Sequence, residues 1–489
     1  MIALVSITAQ FRGAEAVKNP PFGLLYIGSS LKKAGFDVEI FHITEGQVKD
    51  TVNKILSLNP ITVGFSVFTG IQTKLSADMS RMIKARSNIP IIWGGIHPSL
   101  IPEQCIRENY IDFVVVGEGE ITFMELAEQL KKNRKPEPGE LKKIKGIAFK
   151  AAGDIIITPP RPKIDNLDDY KIDWSLVDLK KYIHKVKHWG NKKLLYYITS
   201  RGCPFGCTFC YNLKFNPNRT WRAHSTDYVI SEIQKFKEQF GIEAITFHDD
   251  NFFANPKRAF EILDAVQLDW WGEARISSIN EKFAERLVAS KCHSLFFGWE
   301  SGSNRILKLM DKGITVEDTF RAVKIMAKYP QIAISGMAII GVPTETWPEI
   351  KQTIDAAVSM SKLHPNLVLN IGTFLPFPGT PLYDLAIKEG FVPPTRTEDW
   401  AMFDSKAGKI EPTWIKWRTG STRKTLNTIG RCVIHLNSTP YGNWWQRIAK
   451  KTLHGIEEQR LKNKFFALPI ELDVFSWYYK RYLEKEMEE

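Results

Sequence analysis

Apolar positions in the first 130 residues fall into short, largely β-branched runs: Ile2-Ala-Leu-Val-Ser-Ile, Val38-Glu-Ile-Phe, Thr62-Val-Gly-Phe-Ser, Ile91-Ile-Trp and Phe113-Val-Val-Val. Runs of this length predict buried strands, and the segments between them repeat apolar residues every three or four positions, as amphipathic helices do. One such helix is Leu24-Leu-Tyr-Ile-Gly-Ser-Ser-Leu-Lys-Lys-Ala-Gly35, with Gly35 placed as its C-cap. Strand and helix alternating in this way predict a doubly wound parallel sheet over residues 1–132. Ligands of such sheets bind beyond the carboxyl ends of the strands. Those ends carry Ser66-Val-Phe-Thr69, Gly94-Gly95-Ile-His97 and Gly117-Glu118-Gly-Glu120, a rim of small residues and oxygens.

A polar, proline-rich stretch follows over 133–193, with Lys135-Pro-Glu-Pro-Gly and Thr158-Pro-Pro-Arg-Pro-Lys. Within it, Ile147-Ala-Phe-Lys and Asp154-Ile-Ile-Ile-Thr flank Ala-Ala-Gly and predict a small hairpin. The strand–helix pattern returns over 194–385. Its strand candidates are Leu195-Tyr-Tyr-Ile-Thr, Ala244-Ile-Thr-Phe-His, Glu273-Ala-Arg-Ile, Ser294-Leu-Phe-Phe-Gly-Trp-Glu, Ile334-Ser-Gly-Met-Ala-Ile-Ile-Gly and Leu367-Val-Leu-Asn-Ile. The period establishes an α/β class and no more. Residues 386–489 read as a mainly helical accessory region.

With 489 residues, the chain has room for two or three domains, and 44% hydrophobic with 25% charged residues is an ordinary globular balance. No apolar stretch reaches membrane-spanning length, and the start Met1-Ile-Ala-Leu-Val-Ser-Ile lacks the basic residues of a signal peptide. A cytoplasmic protein is expected. Net charge is +12, and between residues 401 and 489 sixteen lysines and arginines face ten acids. Together with Trp414, Trp417, Trp444, Trp445, Trp477, Tyr478 and Tyr479, this predicts either a solvated basic surface or peripheral contact with a membrane or an acidic partner. Nucleic acid is not expected.

The chemistry concentrates in Cys203-Pro-Phe-Gly-Cys207-Thr-Phe-Cys210, three of the six cysteines within eight residues. Structural zinc usually takes four ligands, and only His224 follows at a plausible distance. Three close cysteines do not pair off as disulfides in a reducing compartment. Iron–sulfur clusters normally take four cysteines, so three on one loop leave one iron open. This loop, with an aromatic residue before its last cysteine, resembles that of the radical S-adenosylmethionine (SAM) superfamily. Pro20-Pro-Phe-Gly-Leu-Leu-Tyr-Ile, Gly64-Phe-Ser, Gly94-Gly-Ile-His-Pro-Ser and Gly117-Glu-Gly-Glu resemble the cobalamin-binding domain fused to many of its members.

The resemblance implies a flavodoxin-like first domain and a partial (β/α)6 barrel over 194–385. It also implies a [4Fe–4S] cluster on Cys203, Cys207 and Cys210, with SAM on the fourth iron. Cobalamin would lie at Ser66, Thr69, Gly94, Gly95, Gly117 and Glu118. No histidine occurs between Thr8 and Phe22, so the Asp-x-His-x-x-Gly motif that ligates cobalt from below is absent. His97, followed by Pro98, is expected on the rim rather than on a metal. The implied SAM contacts are at successive strand ends. Asp249 or Asp250 would contact SAM or substrate, or cap a helix. Arg275 would meet the SAM carboxylate or form a surface pair. Glu300 and Ser301 would hold the ribose or amino group, and Gly341 would let adenine approach the backbone. Phe209 and Tyr211 would cover the adenine or fill the core, and Thr373 to Tyr383 resembles the closing turn.

The implied reaction is reductive SAM cleavage to a 5′-deoxyadenosyl radical, with cobalamin relaying a methyl group to an unactivated carbon and an external donor supplying electrons. A cyclase or rearranging enzyme like the anaerobic magnesium-protoporphyrin ester cyclases is the first alternative. A methylthiotransferase would need a second cluster, and residues 1–104 contain no cysteine. A non-enzymatic iron–sulfur or cobalamin protein is the last alternative. Peptide, lipid, tetrapyrrole and natural-product substrates all remain open.

Overall fold

Seven strands form the first sheet of the computed structural model: β1 (Ile2–Thr8), β2 (Val38–Thr44), β3 (Val63–Ser66), β4 (Ile91–Gly94), β5 (Phe113–Val115), β6 (Ile147–Ala151) and β7 (Asp154–Ile157). Their order is β2-β1-β3-β4-β5-β6-β7, parallel as far as β5. This is the flavodoxin-like arrangement, with its topological switch between β1 and β3. The structure describes residues 1–8, 19–186, 189–403, 412–416, 422–434, 436, 444–467 and 469–473. The loop after β1, Trp417, Trp477, Tyr478, Tyr479 and the side chains of Trp444 and Trp445 lie outside that description.

The largely apolar character of β1, interrupted by the buried Ser6, follows from burial on both faces, as expected of a central parallel strand. Ala3, Val5 and Ile7 join one core with Val52, Ile55, Leu75 and Ile83. Ile2 and Leu4 join the other with Leu24, Leu31, Phe123 and Leu126. Gly64 of β3 faces this second layer, where an added Cβ would lie 2.6 Å from the Phe123 ring and 3.1 Å from Leu4. Its place in the Gly-Phe-Ser segment is therefore a packing requirement.

The predicted hairpin is present, but it extends this sheet instead of sitting in a separate linker. β6 pairs antiparallel with β5 through Val115 and Ile147, and β7 pairs with β6. The physical reason is the open edge of β5: Ile147, Ala148 and Phe149 are all buried by covering it.

Two compact units follow, and their limits differ from the expected domain boundaries. The first comprises residues 1–196, 222–228 and the described part of 393–410. In it Trp400 donates to Gln104 at 2.8 Å, Gln104 donates to the Pro394 carbonyl at 2.7 Å, and Arg81 pairs with Glu398 at 2.7 Å. Residues 386–489 are thus not one accessory domain. His97 is fully buried, bonded through Nδ1 to Thr69 at 3.1 Å and packed edge-on to Trp400.

The second unit holds a parallel sheet with strands Ala244–Phe247, Asp269–Glu273, Cys292–Glu300, Ala333–Ile340 and Leu367–Thr373 in sequential order. At its first edge the His248 amide donates to the Tyr197 carbonyl at 2.8 Å, where the strand Lys192–Tyr197 ends. Burial alternates along Ala333–Ile340, with the fully buried residues toward the outer helices and the half-buried ones on the inner, concave face of a half-barrel. The third strand lies earlier than the expected Glu273-Ala-Arg-Ile: it ends at Glu273, and Arg275 belongs to the following loop. Asp269 and Gly272 had masked the apolar pair Trp270-Trp271 that forms its centre. No described helix is long and apolar enough to cross a membrane.

If Gly64 is a packing requirement, Gly64→Ala should destabilise the chain by about 1–3 kcal/mol, the usual penalty for overpacking. Combining it with Phe123→Leu should recover part of that loss. Urea unfolding of both variants checks this, and a neutral Gly64→Ala would show that Phe123 moves aside freely.

Candidate functional site

The cysteine loop follows the first strand of the half-barrel and is held at its centre by Thr208. The Thr208 amide donates to the Met310 carbonyl at 3.0 Å, its hydroxyl donates to the Leu309 carbonyl at 2.9 Å, and its carbonyl accepts from Leu382 at 3.1 Å. Asn216 adds a second support, donating to the Cys203 carbonyl at 3.2 Å and to Thr220 at 2.6 Å. Gly202 precedes the loop at φ +86°, where a Cβ would strike the Thr220 carbonyl.

The three cysteines lie within eight residues of one loop, Cys207 buried and Cys203 and Cys210 half-buried. Burial raises the Cys203 thiol above its ordinary value and pushes Cys210 up to about 12. Without metal the Cys203 and Cys210 sulfurs therefore hold their protons, and a metal bound there would have to displace them. Among the described residues no three His, Cys, Asp or Glu side chains are gathered to hold a single ion. A single-ion zinc site would require such closure, whereas a cubane distributes its thiolates over separate irons. His224 is turned elsewhere. Within the first unit its Nδ1 meets Asp168 at 2.9 Å and its Nε2 meets Tyr26 at 2.9 Å. Cys105, Cys292 and Cys432 are buried free thiols.

Two donors point at the cysteine sulfurs: Asn251 Nδ2 lies 3.8 Å from Cys203 Sγ, and Arg275 Nη1 lies 3.6 Å from Cys207 Sγ. Donors aimed at sulfur are what a charged iron–thiolate site requires, so the donor set fits a three-cysteine cluster. Asp249, expected near SAM, is fully buried and accepts from the Thr199 amide and hydroxyl and from the Ser200 hydroxyl. Arg258 donates to Thr199 at 3.1 Å behind it. Desolvation raises the Asp249 carboxyl to about 6 despite these bonds. Its oxygens latch the strand end and do not face a ligand. The neighbouring Asp250 is exposed and accepts from the Gly202 amide at 2.8 Å.

Glu300 stands at φ +56°, next to a register shift between its strand and the neighbouring one. Its Oε1 forms a buried ion pair with Lys312 Nζ at 2.6 Å, while Oε2 has no partner among the described residues. Gly298 makes room for this pair, because a Cβ there would collide with both charged groups. Ser301 is buried, 3.3 Å from the Thr353 hydroxyl, and accepts from the Ser303 amide. Gly341 is similarly engaged: its amide donates to Glu345 at 2.5 Å, and its carbonyl accepts from Trp414 at 2.5 Å. Leu426 and Ile415 lie 3.1 and 3.2 Å from where its Cβ would be. Phe209 is half-buried, and Tyr211 packs edge-on to Phe215 and Phe377.

Glu273 was missed as a site residue. It ends the third strand, and its carboxyl is raised to about 7, first by desolvation and then by Asp250 and Glu300, with Lys312 opposing. It is nevertheless open to solvent. A carboxyl that is accessible yet surrounded by protein belongs in a concavity, here the inner face of the half-barrel. The available signal was its position two residues before Arg275.

In the first unit, Gly117 (φ +83°) and Gly70 (φ +124°) have nothing within 4 Å of their would-be Cβ positions, so the backbone there is open to a bulky ligand. Ser66 and Thr69 lie on the same rim. This fits cobalamin at the strand ends. Gly95, in contrast, is pressed against the Val67 backbone, and Gly94 bonds the Val67 amide through its carbonyl at 2.9 Å. Glu118 is engaged by Arg222 at 2.6 Å and by the Ile164 amide at 2.9 Å, which makes it a structural pair and not an open rim group.

Residues 197–357 match the radical SAM superfamily, and residues 16–127 match the B12 binding domain. An uncharacterized methyltransferase of Pyrococcus horikoshii is 35% identical over 397 residues, covering 79% of this chain and 83% of that protein. The anaerobic magnesium-protoporphyrin IX monomethyl ester cyclase of Rubrivivax gelatinosus is 27% identical, covering 76% and 67%. Among solved structures, the radical SAM methyltransferase TsrM of Kitasatospora setae, with cobalamin and a [4Fe–4S] cluster bound, superimposes with a TM-score of 0.63 at 18% identity. That alignment covers 94% of this chain and 99% of TsrM, and the likeness is one of fold.

A raised carboxyl destabilises the folded state above its unfolded value. For Glu273 this penalty grows as pH rises from the ordinary glutamate range to about 7 and is complete above that. Glu273→Gln should therefore raise the melting temperature of the metal-free protein at pH 8 and leave it unchanged below pH 4. Thermal unfolding at both values checks this; equal shifts at the two would remove the ionisation argument.

Proposed function

The chain belongs to the cobalamin-binding radical SAM family, and we propose that within it the protein is a methyltransferase acting on an unactivated carbon. It is an enzyme whose cofactors are a [4Fe–4S] cluster, SAM and cobalamin. When bound, these groups supply the electron that splits SAM into methionine and a 5′-deoxyadenosyl radical, and the carrier for the methyl group. The observation that supports the reading most is the gathering of Cys203, Cys207 and Cys210 on a loop whose sulfurs meet Asn251 and Arg275.

The chain's own residues would divide the work as follows. The three cysteines would hold the cluster, with SAM bound beside it. The Thr208 contacts fix the loop that carries them. Glu300, restrained by Lys312, offers Oε2 to a donor on SAM. Asp250 and Glu273 face the same inner surface and favour a cationic ligand there. Asp249, Ser301 and Gly341 act behind these groups, holding strand ends and turns in place. At the other cofactor's rim, Ser66, Thr69, Gly70 and Gly117 leave space and hydrogen-bonding oxygens.

We place the substrate among small molecules, tetrapyrroles included, because the cyclase relative is named for a tetrapyrrole ester. The same relative supports a second reading, an oxidative ring closure. Electrons would come from an external donor.

Anaerobic reconstitution with iron, sulfide and cobalamin, followed by methyl-labelled SAM and a reductant, tests the proposal. Deoxyadenosine and a product one labelled methyl heavier are expected. Cys207→Ala should reduce deoxyadenosine formation to background. Deoxyadenosine with an oxidised, unlabelled product would favour the cyclase reading, and neither product would sink both.

A further inference from the structure

Phe205 is a large apolar side chain on the cysteine loop, 40% exposed, and the guanidinium of Arg275 lies over its face, 3.7 Å from the ring centre. A stacked guanidinium is held in one plane, and its two terminal nitrogens then point in fixed directions. Here one of them, Nη2, donates to the Lys312 carbonyl, while Nη1 is directed at Cys207 Sγ at 3.6 Å. Nε is buried without a hydrogen-bond partner, so the hydrogen bonds of the group are made at its tip. Lys312 in turn pairs with Glu300, and Thr208 bonds the adjoining Leu309 and Met310 carbonyls. The cation is thus fastened to both the cysteine loop and the segment that braces it, with its charge against a ligand sulfur.

We propose that Arg275 is a positioning residue that sets the reduction potential of the cluster through Cys207, rather than solely an anchor for the SAM carboxylate. This rests on the reading that Cys203, Cys207 and Cys210 hold a [4Fe–4S] cluster. Reduction takes the cluster from the 2+ to the 1+ core by adding one electron, supplied in the test by dithionite, with no bond broken. That step adds a negative charge to a site already carrying three thiolates. A cation and an N–H donor at one sulfur favour the more negative state, so Arg275 raises the potential and makes the cluster easier to reduce.

The test is an anaerobic dithionite titration of the reconstituted full chain, followed by electron paramagnetic resonance with no SAM present. Arg275→Gln should shift the midpoint to more negative values. At the wild-type midpoint its reduced-to-oxidised ratio should fall about tenfold, which is about 59 mV for a one-electron couple. Arg275→Lys keeps a charge but cannot span the Lys312 carbonyl and Cys207 together, and should fall between the two. If Arg275→Gln assembles no cluster, Arg275→Lys decides, since a midpoint equal to wild type overturns the proposal. A shift seen only with SAM present also overturns it and returns Arg275 to SAM binding alone. Failure of the wild-type chain to assemble a [4Fe–4S] cluster would refute the cluster reading itself, a result distinct from an unmoved midpoint.

Discussion

Three thiols on one short loop, Cys207 buried and Cys203 and Cys210 half-buried, are the constraint around which the second unit is organised. A loop of this kind gains little from its own burial, because desolvation disfavours the thiolates it must eventually present. Its order has to come from outside, and it does. Thr208 takes hydrogen bonds on two sides, and Asn216 secures the Cys203 carbonyl. These bonds tie the loop to segments about a hundred and about a hundred and seventy residues later in the chain. The loop's arrangement therefore depends on distant parts of the half-barrel, and a metal bound there would be coupled to the folded state.

A second level of support lies behind the groups that face the site. Asp249 fastens the first strand to the second through Thr199 and Ser200, with Arg258 closing the set. Removing one partner from such a buried network leaves the others desolvated and unpaired, and costs about 3–5 kcal/mol in comparable cases. Gly298 provides another form of support, by absence: only a residue without a Cβ lets the Glu300 carboxylate and Lys312 ammonium fold back over the strand. The left-handed backbone at Glu300 is a strained conformation and coincides with the ion pair to Lys312 and the adjacent register shift.

What could be read from residue order divides along a physical line. Strand and helix periods are local, so the parallel sheet and the α/β half-barrel were legible; a three-cysteine spacing is local too, and it carries the proposed cluster site. Asp249 and Glu118 were not, because a carboxylate at a strand end looks the same whether it faces a ligand or a buried partner. Glu118 finds Arg222 and Ile164, partners 104 and 46 residues away. His224, the first histidine after the cysteines in sequence, finds Tyr26 instead, 198 residues away. Gly64 and Gly341 belonged to segments with a family resemblance, yet their immediate surroundings are Phe123 in one case and Leu426 with Ile415 in the other. Glu273 escaped notice because the strand containing it was placed four residues too late.

The charges on the inner face of the half-barrel form one coupled system. Asp250 acts on both the Cys210 thiol and Glu273, Glu300 acts on Glu273, and Arg275 at Cys207 and Lys312 at Glu300 are the cations among them. Desolvation first, then Asp250 and Glu300, raises the Glu273 carboxyl to about 7, and Lys312, already paired with Glu300, opposes this only in part. A ligand carrying a sulfonium and an ammonium against one carboxylate brings net positive charge. Placed here, it would favour ionisation of Glu273, so binding and proton release become linked. Reducing a cluster at the cysteines acts in the opposite sense, since each added negative charge favours the protonated carboxyl. The same concavity thus opposes accumulation of negative charge and welcomes a cation, and the two tendencies meet at the strand end that carries Glu273 and, two residues on, Arg275.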